Sequence, residues 1–281
     1  MVLNKVAIVT GSSSGFGLLT SIELAKSGFH VLATMRNIEK ADVFKSITSD
    51  PEILNRITPL ELDVTINQTF DQFQRKLESL DRVDLLVNNA GYAMGGFVEQ
   101  VSVEEYKKQF DTNVFGLMAV TKMVLPRMRK QRFGTIINIS SISGRLAFPG
   151  LSPYVASKYA IEGYTESLRL EVSPLGIQVA LIEPGSYKTN IWTSGMELPK
   201  SKEPIPDYEG YMDAILSELE KGKSKHGDPI EVANLIVELS QKKILKKLRY
   251  PVGNGTKLMI FVKNKLHWRF WEKLVHRKIF K

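Results

Sequence analysis

Six short apolar runs punctuate the chain: Val6–Val9, Val31–Ala33, Ile57–Leu62, Val83–Val87, Ile136–Ile139 and Val179–Ile182. They are rich in β-branched residues and show little polar–apolar alternation, so they predict strands buried on both faces. Between them the pattern changes to a helical period over Gly17–Ser27, Gln68–Leu80, Val103–Lys130 and Tyr154–Val172. Repeated strand–helix–strand units imply a parallel sheet with a helix layer on each side. Crossovers of this kind are right-handed, which predicts an α/β, doubly wound (Rossmann-type) sheet. No internal repeat or linker divides residues 1–281, so a single domain is expected.

The alternation breaks over residues 186–225, where Pro199, Pro204 and Pro206 fall among charged and aromatic residues. A long excursion late in an α/β domain reads as a lid inserted after the sixth strand. A helix is expected to reopen at Asp228-Pro229-Ile230-Glu231, with Asp228 as N-cap, Pro229 at the first helical position and Glu231 completing a capping box.

Composition changes this picture in two places. The chain has no cysteine, which excludes disulfides, thiolate metal ligands and a cysteine nucleophile, and fits a reducing, cytoplasmic setting. No signal peptide is expected from the pattern of the first residues, and no apolar run approaches the roughly 20 residues of a membrane-spanning helix. The net charge of +8 is local: residues 257–281 carry eight Lys/Arg against one acid, Glu272, and the remainder has 30 basic and 29 acidic residues. The body therefore offers no basic surface to suggest nucleic acid.

The first chemical signal is Thr10-Gly11-Ser12-Ser13-Ser14-Gly15-Phe16-Gly17, between the first strand and the first helix. Glycines there let the backbone approach a pyrophosphate, and the helix N-terminus offers free N–H groups and a positive dipole end. A plain structural turn is the bland alternative. At the end of the second strand, an acid would accept from both ribose hydroxyls and repel a 2′-phosphate. The expected position, Thr34, is neutral, and Arg36 follows two residues later. A guanidinium can pair with phosphate, so NADP(H) is expected over NAD(H) unless Arg36 is a solvated loop cation.

Glycine, three residues, glycine, one residue, glycine is a spacing that resembles the short-chain dehydrogenase/reductase family. Asp63-Val64 after the third strand, Asn88-Asn89-Ala90-Gly91 after the fourth, and Pro184-Gly185 with Thr189 after the sixth agree with it in order. By that resemblance Gly11, Ser14, Phe16 and Gly17 cradle the cofactor, and Asp63 contacts the adenine amino group. Asn89, Ala90 and Gly91 lie beside the adenosine, while Pro184, Gly185 and Thr189 lie near the nicotinamide carboxamide. The likeness covers roughly residues 4–190 and then weakens.

Tyr154-Val155-Ala156-Ser157-Lys158 puts a phenol and an ammonium on one helix face, and the ammonium is expected to lower the phenol's pKa. Such a pair alone is ordinary surface chemistry; its place after the fifth strand, with Ser141 thirteen residues earlier, matches the family. The resemblance implies that Ser141 bonds the substrate oxygen, Tyr154 transfers the proton and Lys158 contacts both nicotinamide ribose and phenol. Ser140 and Ser143 compete for the serine role, and counting back from Tyr154 favours Ser141. Asn113, in Asp111-Thr112-Asn113-Val114-Phe115-Gly116, matches the family's fourth member, which helps hold a proton-relay water. A nucleotide-sensing regulator without turnover would lack Tyr or Lys, and a sugar-nucleotide epimerase relative would show other glycine spacing and a larger C-terminal domain.

The expected function is hydride transfer between nicotinamide and a small hydrophobic alcohol, ketone or aldehyde. The stretch Gly91-Tyr92-Ala93-Met94-Gly95-Gly96-Phe97-Val98-Glu99 resembles the steroid and retinol dehydrogenase branch. Tyr187, Trp192, Met196, Tyr208, Tyr211 and Met212 either line an apolar pocket or pack the lid onto the core. The family implies a homodimer or homotetramer. In the tail, residues 257–281, Trp268, Phe270 and Trp271 sit among cations, which suits membrane-surface contact or packing on its own domain or on another subunit, and residues beyond Asn264 are expected to be dispensable for chemistry.

Overall fold

The computed structural model describes residues 5–192, 195–200, 205–222 and 226–280. Strands β1 (Val6–Val9), β2 (His30–Met35), β3 (Ile57–Glu61) and β4 (Leu85–Asn88) open the fold, followed by the two-residue β5 (Ala93–Met94). Then come β6 (Gly134–Ile139), β7 (Ile177–Pro184), the two-residue β8 (Met196–Glu197) and β9 (Arg249–Val252). The helices are α1 (Gly15–Lys26), α2 (Val43–Ile47), α3 (Pro51–Asn55), α4 (Asn67–Glu78), α5 (Val103–Phe110) and α6 (Leu117–Gln131). They continue with α7 (Ser152–Val172), α8 (Pro206–Gly222), α9 (Ile230–Ser240), α10 (Thr256–Lys265) and α11 (Trp268–Ile279).

Seven strands form one parallel sheet in the order β3-β2-β1-β4-β6-β7-β9, the doubly wound arrangement expected. Successive residues feed opposite cores: Ala7, Val9 and Ile137 pack with Ile22 and Ile236 on one face. Ile8 and Ile136 pack with Val124 and Leu168 on the other. Both faces are therefore dry, which is why the strands lack alternation.

The seventh strand was not expected. It is short, half-buried and carries Arg249 and Pro251, and a proline is tolerated because β9 lies at the sheet edge. The expected helix Val103–Lys130 is also corrected: α5 and α6 are separated by a π turn over Asp111–Gly116. At its end Gly116 lies so close to Val64 that a Cβ would come within 2.5 Å of the Val64 side chain.

In the expected lid, β8 pairs in parallel with β5, and α8 lies over the domain with Tyr208 stacked on Phe97 at 4.3 Å and Tyr211 tilted against it at 5.2 Å. Those two rings pack the segment down. Pro204 lies outside the described residues, as do positions 193–194, 201–203 and 223–225. Asp228 accepts from the Ile230 N–H, as a cap should, but the capping box does not form. The Glu231 carboxylate instead accepts from the Tyr187 hydroxyl at 3.0 Å.

The tail is two helices packed on the domain. Trp271 is buried between Leu146 and Ile260, and Phe280 lies 4.7 Å from the Tyr211 ring of α8. Of the alternatives for the tail, packing on its own domain is the one seen, through Trp271 and Phe280. Among the described residues no helix is long and apolar enough to cross a membrane.

Candidate functional site

Parallel strands leave a crevice beyond their carboxyl ends where the strand order reverses, here between β1 and β4. A cleft of ≈ 570 Å³ opens there. The β1–α1 turn forms its floor. Gly11 and Gly15 adopt φ of +68° and +55°, which only glycine holds without strain. A Cβ on Gly17 would come within 2.3 Å of the Gly11 carbonyl, so the third glycine lets α1 close under the turn. The Asn89 amide donates to the Thr10 and Gly11 carbonyls at 2.8 and 3.1 Å and holds the turn in shape. Ser14 at the head of α1 makes no side-chain cap bond, so the first N–H groups of the helix face the cleft uncapped. The floor therefore fits a pyrophosphate.

Most expected cofactor residues line this cleft: Gly11, Ser14, Phe16, Arg36, Asp63, Val64, Asn89, Ala90, Gly91, Pro184, Gly185 and Thr189. Gly17 does not; it acts beneath the turn. Thr34 is corrected as well, because its side chain is wholly buried in the sheet. The cleft-facing residue at the end of β2 is Arg36, and Lys40 from the next turn joins it. Lys40 escaped the sequence reading because nothing in the spacing tells an exposed cation over a cleft from one over solvent.

At the other end of the cleft stand Ser141, Tyr154 and Lys158. Ser141 follows β6 in extended conformation, and its Oγ accepts from the Ser143 N–H at 3.1 Å. Tyr154 and Lys158 share the inner face of α7, with the ammonium 5.5 Å from the phenol ring centroid. The Lys158 ammonium donates to the Ile139 carbonyl at 2.9 Å, which ties the helix to the end of β6. Of the competing serines, Ser140 lines the cleft but Ser143 does not.

Asn113 lies outside the cleft lining. Its Oδ1 accepts from the Tyr92 N–H at 3.1 Å, and its Nδ2 donates to the Tyr92 carbonyl and to Ser157 Oγ. It clamps the Ala90–Tyr92 loop to α7 from inside the π turn, a device often found beside functional sites.

Burial dominates the electrostatics. It pushes Tyr154 up to about 12, while the Ser141 hydroxyl beside it works in the opposite direction. This reverses the lowering expected from Lys158. Burial also brings Lys158 down to about 8, against the opposing pull of the Glu162 carboxylate one turn away. The ring of Trp192, from the excursion after β7, stands edge-on to Tyr154 at 5.6 Å.

A buried ion network behind α7 was invisible in the sequence. Glu162 and Glu183 are almost fully buried, on α7 and β7. Arg249 of β9 pairs with Glu162 at 2.8 Å, with Glu166, and with Glu183 at 3.4 Å; Arg145 reaches Glu183 at 3.1 Å. Burial and the neighbouring Glu162 push the Glu183 carboxyl up, while Arg145 and Arg249 pull it down.

A glycine cradle at the switch point of a doubly wound sheet, with Tyr and Lys at its far end, defines an α/β fold of the dinucleotide-binding oxidoreductase type. The family described as short chain dehydrogenase matches residues 5–197, and the chain belongs to that family. It is 48% identical over 278 residues to the uncharacterized oxidoreductase YusZ of Bacillus subtilis, covering 98% of this chain and 99% of that one. A crystal structure of a short-chain dehydrogenase from Streptomyces avermitilis is similar with TM-score 0.81 and 32% identity, over 98% of each chain. ElxO with NADP bound is similar with TM-score 0.74 and 25% identity, over 91% of this chain and 99% of that one.

Proposed function

We propose that this chain is a cytoplasmic NADP(H)-dependent oxidoreductase that interconverts a small hydrophobic ketone or aldehyde with its alcohol. One observation carries the reading: Ser141, Tyr154 and Lys158 stand in the wall of the same cleft whose floor is the glycine cradle. The β1–α1 turn and the head of α1 would hold the pyrophosphate, and Asp63, Asn89, Ala90 and Gly91 the adenosine. Pro184, Gly185 and Thr189 would border the nicotinamide. The cofactor, when bound, supplies or accepts the hydride.

The protein's own groups handle the oxygen and its proton. Ser141 and Tyr154 hydroxyls converge on the carbonyl oxygen, and a phenol held neutral by burial is ready to donate in the reductive direction. The Lys158 ammonium stabilises the phenolate left behind. Trp192 excludes water from the reacting face, and its ring, with Tyr187 deeper in the wall, favours an apolar substrate. Asn113 acts as a positioning residue through the Tyr92 loop. Exposed Phe115 and Leu170, near or on the long helices α6 and α7, support association into a homodimer or homotetramer through these helices. NADPH consumption against a panel of ketones, aldehydes and quinones tests the reading: aliphatic or aromatic carbonyls should be turned over, and inertness toward all of them would overturn it.

Cofactor choice is assigned to Arg36, with Lys40 beside it. A charge-assisted hydrogen bond contributes roughly 1.5–3 kcal/mol, so Arg36→Ala should weaken NADPH binding about 10- to 150-fold and NADH binding far less. Fluorescence titration of both cofactors measures this; equal losses would show that Arg36 does not read the 2′-phosphate.

The pH dependence follows from Lys158. Its pKa lies at about 8 through burial, so the ammonium is present below that pH and lost above it. In the reductive direction kcat/KM for NADPH, which reports groups of the free enzyme, should be level at lower pH and fall as pH rises through about 8. Lys158→Arg keeps a charge that does not titrate in this range, so whatever activity it retains should lack that falling limb. An unchanged limb would remove Lys158 from the assignment.

A further inference from the structure

The C-terminal helices turn two different faces outward and inward. In α11, Trp271, Val275 and Ile279 recur at i, i+4 and i+8 and face the domain. The flanking row holds Phe270 and Leu274, 63% and 48% exposed, and beyond it exposed Lys273 and Arg277 lie opposite the buried face. In α10, Ile260 is buried while Leu258 and Phe261, 65% and 60% exposed, share an outer row with Lys265. Lys257, Arg269 and Lys278 are exposed around these rows, and Glu272 is the one acid in residues 257–281. With Trp268 and Phe280, six large apolar side chains are exposed inside the most basic part of the chain, and these four form the two rows.

We propose that the outer faces of α10 and α11 dock on an anionic lipid surface, with Leu258, Phe261, Phe270 and Leu274 entering the acyl boundary and the surrounding cations on the headgroups. Basic amphipathic helices bind interfaces this way, through apolar area plus attraction to anionic lipid. The +7 balance of residues 257–281 selects this occupant. A second copy of the chain would meet this face with the same face, because a two-fold interface is isologous, and would set like charge against like. Nucleic acid would use the cations and Phe rings but gains nothing from Leu258 and Leu274, which have no face to stack on a base.

The location gives the docking a consequence. Phe280 at the end of α11 packs on Tyr211 of α8, and Tyr211 packs on Phe97. The tail that carries the membrane face is therefore in direct contact with α8, and a carbonyl compound dissolved in the bilayer would meet the protein on the side where α8 lies. That consequence rests on the carbonyl reading above; the docking does not.

The test uses the full chain floated with vesicles of phosphatidylcholine alone or mixed with phosphatidylglycerol. Binding is expected to the anionic vesicles, weakened by high salt, and near zero to the neutral ones. Lys273→Gln with Arg277→Gln should weaken binding roughly 25-fold, about fivefold for each cation removed from the surface. Phe270→Ser with Leu274→Ser should weaken it more than about tenfold through lost apolar insertion. All four positions are exposed, so thermal melting should be unchanged, and melting also guards against reading an unfolded variant as a lost site. Absence of binding to anionic vesicles overturns the proposal, as does binding that both double variants retain. A fall in oligomer mass in the Phe270/Leu274 variant would show a contact between copies instead. Capture of an oligonucleotide in place of vesicles would likewise refute it. Vesicle binding without any carbonyl turnover would leave the docking standing and remove only the chemistry proposed for the cleft.

Discussion

Tyr154→Phe is expected to lower turnover by about 10²–10⁴ while NADPH still binds with nearly its original affinity, since general acid–base catalysis contributes on that order. The substitution removes one hydroxyl and leaves the ring that packs edge-on against Trp192 and lies beside Lys158. The fold and the glycine cradle stay as they were, so loss of rate with retained binding isolates the proton transfer. Substitution of Lys158 should look different. Lys158 also ties α7 to the Ile139 carbonyl, so Lys158→Ala should weaken cofactor binding together with rate. Single-turnover rates with saturating NADPH separate the two variants. A Tyr154→Phe enzyme with rates near wild type would remove the phenol from the mechanism.

Arg249→Met is expected to destabilise the protein by about 3–5 kcal/mol, because it leaves Glu162 buried without its cation and removes one of the two cations on Glu183. Breaking one partner of a buried ion pair is far more harmful than replacing both. The side chain of Arg249 is 26% exposed, so solvent softens the penalty and the lower end of that range is expected. For a chain of this size the melting temperature should fall by roughly 6–12 °C. Adding Glu162→Gln to Arg249→Met should recover part of the loss, since the stranded charge is then gone. If the double variant melts lower than Arg249→Met alone, the carboxylate was not the source of the penalty.

The fold was legible where burial is two-sided. Ile8 and Ala7, or Ile136 and Ile137, serve opposite cores, so the central strands announce themselves as unbroken apolar runs. Strand β9 sits at the edge with Arg249 and Pro251 and gives no such signal. The π turn at Asp111–Gly116 was hidden for another reason: helix continues on both sides of it, and the close approach of Gly116 to Val64 is a contact distant in sequence.

The site divides along similar lines. Glycines at a strand–helix junction and a Tyr–Lys pair four residues apart are short-range patterns, and the structure brings them to one cleft. The ion network behind α7 joins Arg145, Glu162, Glu183 and Arg249 across four separate elements and loops, and no spacing rule connects them. The sign of the Tyr154 shift also required three dimensions. An ammonium four residues away argues for a lower pKa, and only the extent of burial reveals that desolvation wins. In the tail, sequence gave the aromatics and cations but not their direction; Trp271 turned inward and Phe270 outward.

Transfer of deuterium from NADPH carrying deuterium at both nicotinamide C4 positions to a carbonyl substrate tests the central claim most directly. Wild-type protein, incubated with labelled NADPH and a hydrophobic ketone or aldehyde that it consumes, should give an alcohol carrying deuterium on the former carbonyl carbon. One deuterium atom should appear on carbon per NADPH oxidised, and formation should slow by about 10²–10⁴ in Tyr154→Phe. Alcohol without the label, or NADPH oxidised with no reduced carbon in any carbonyl offered, would contradict hydride transfer in this cleft.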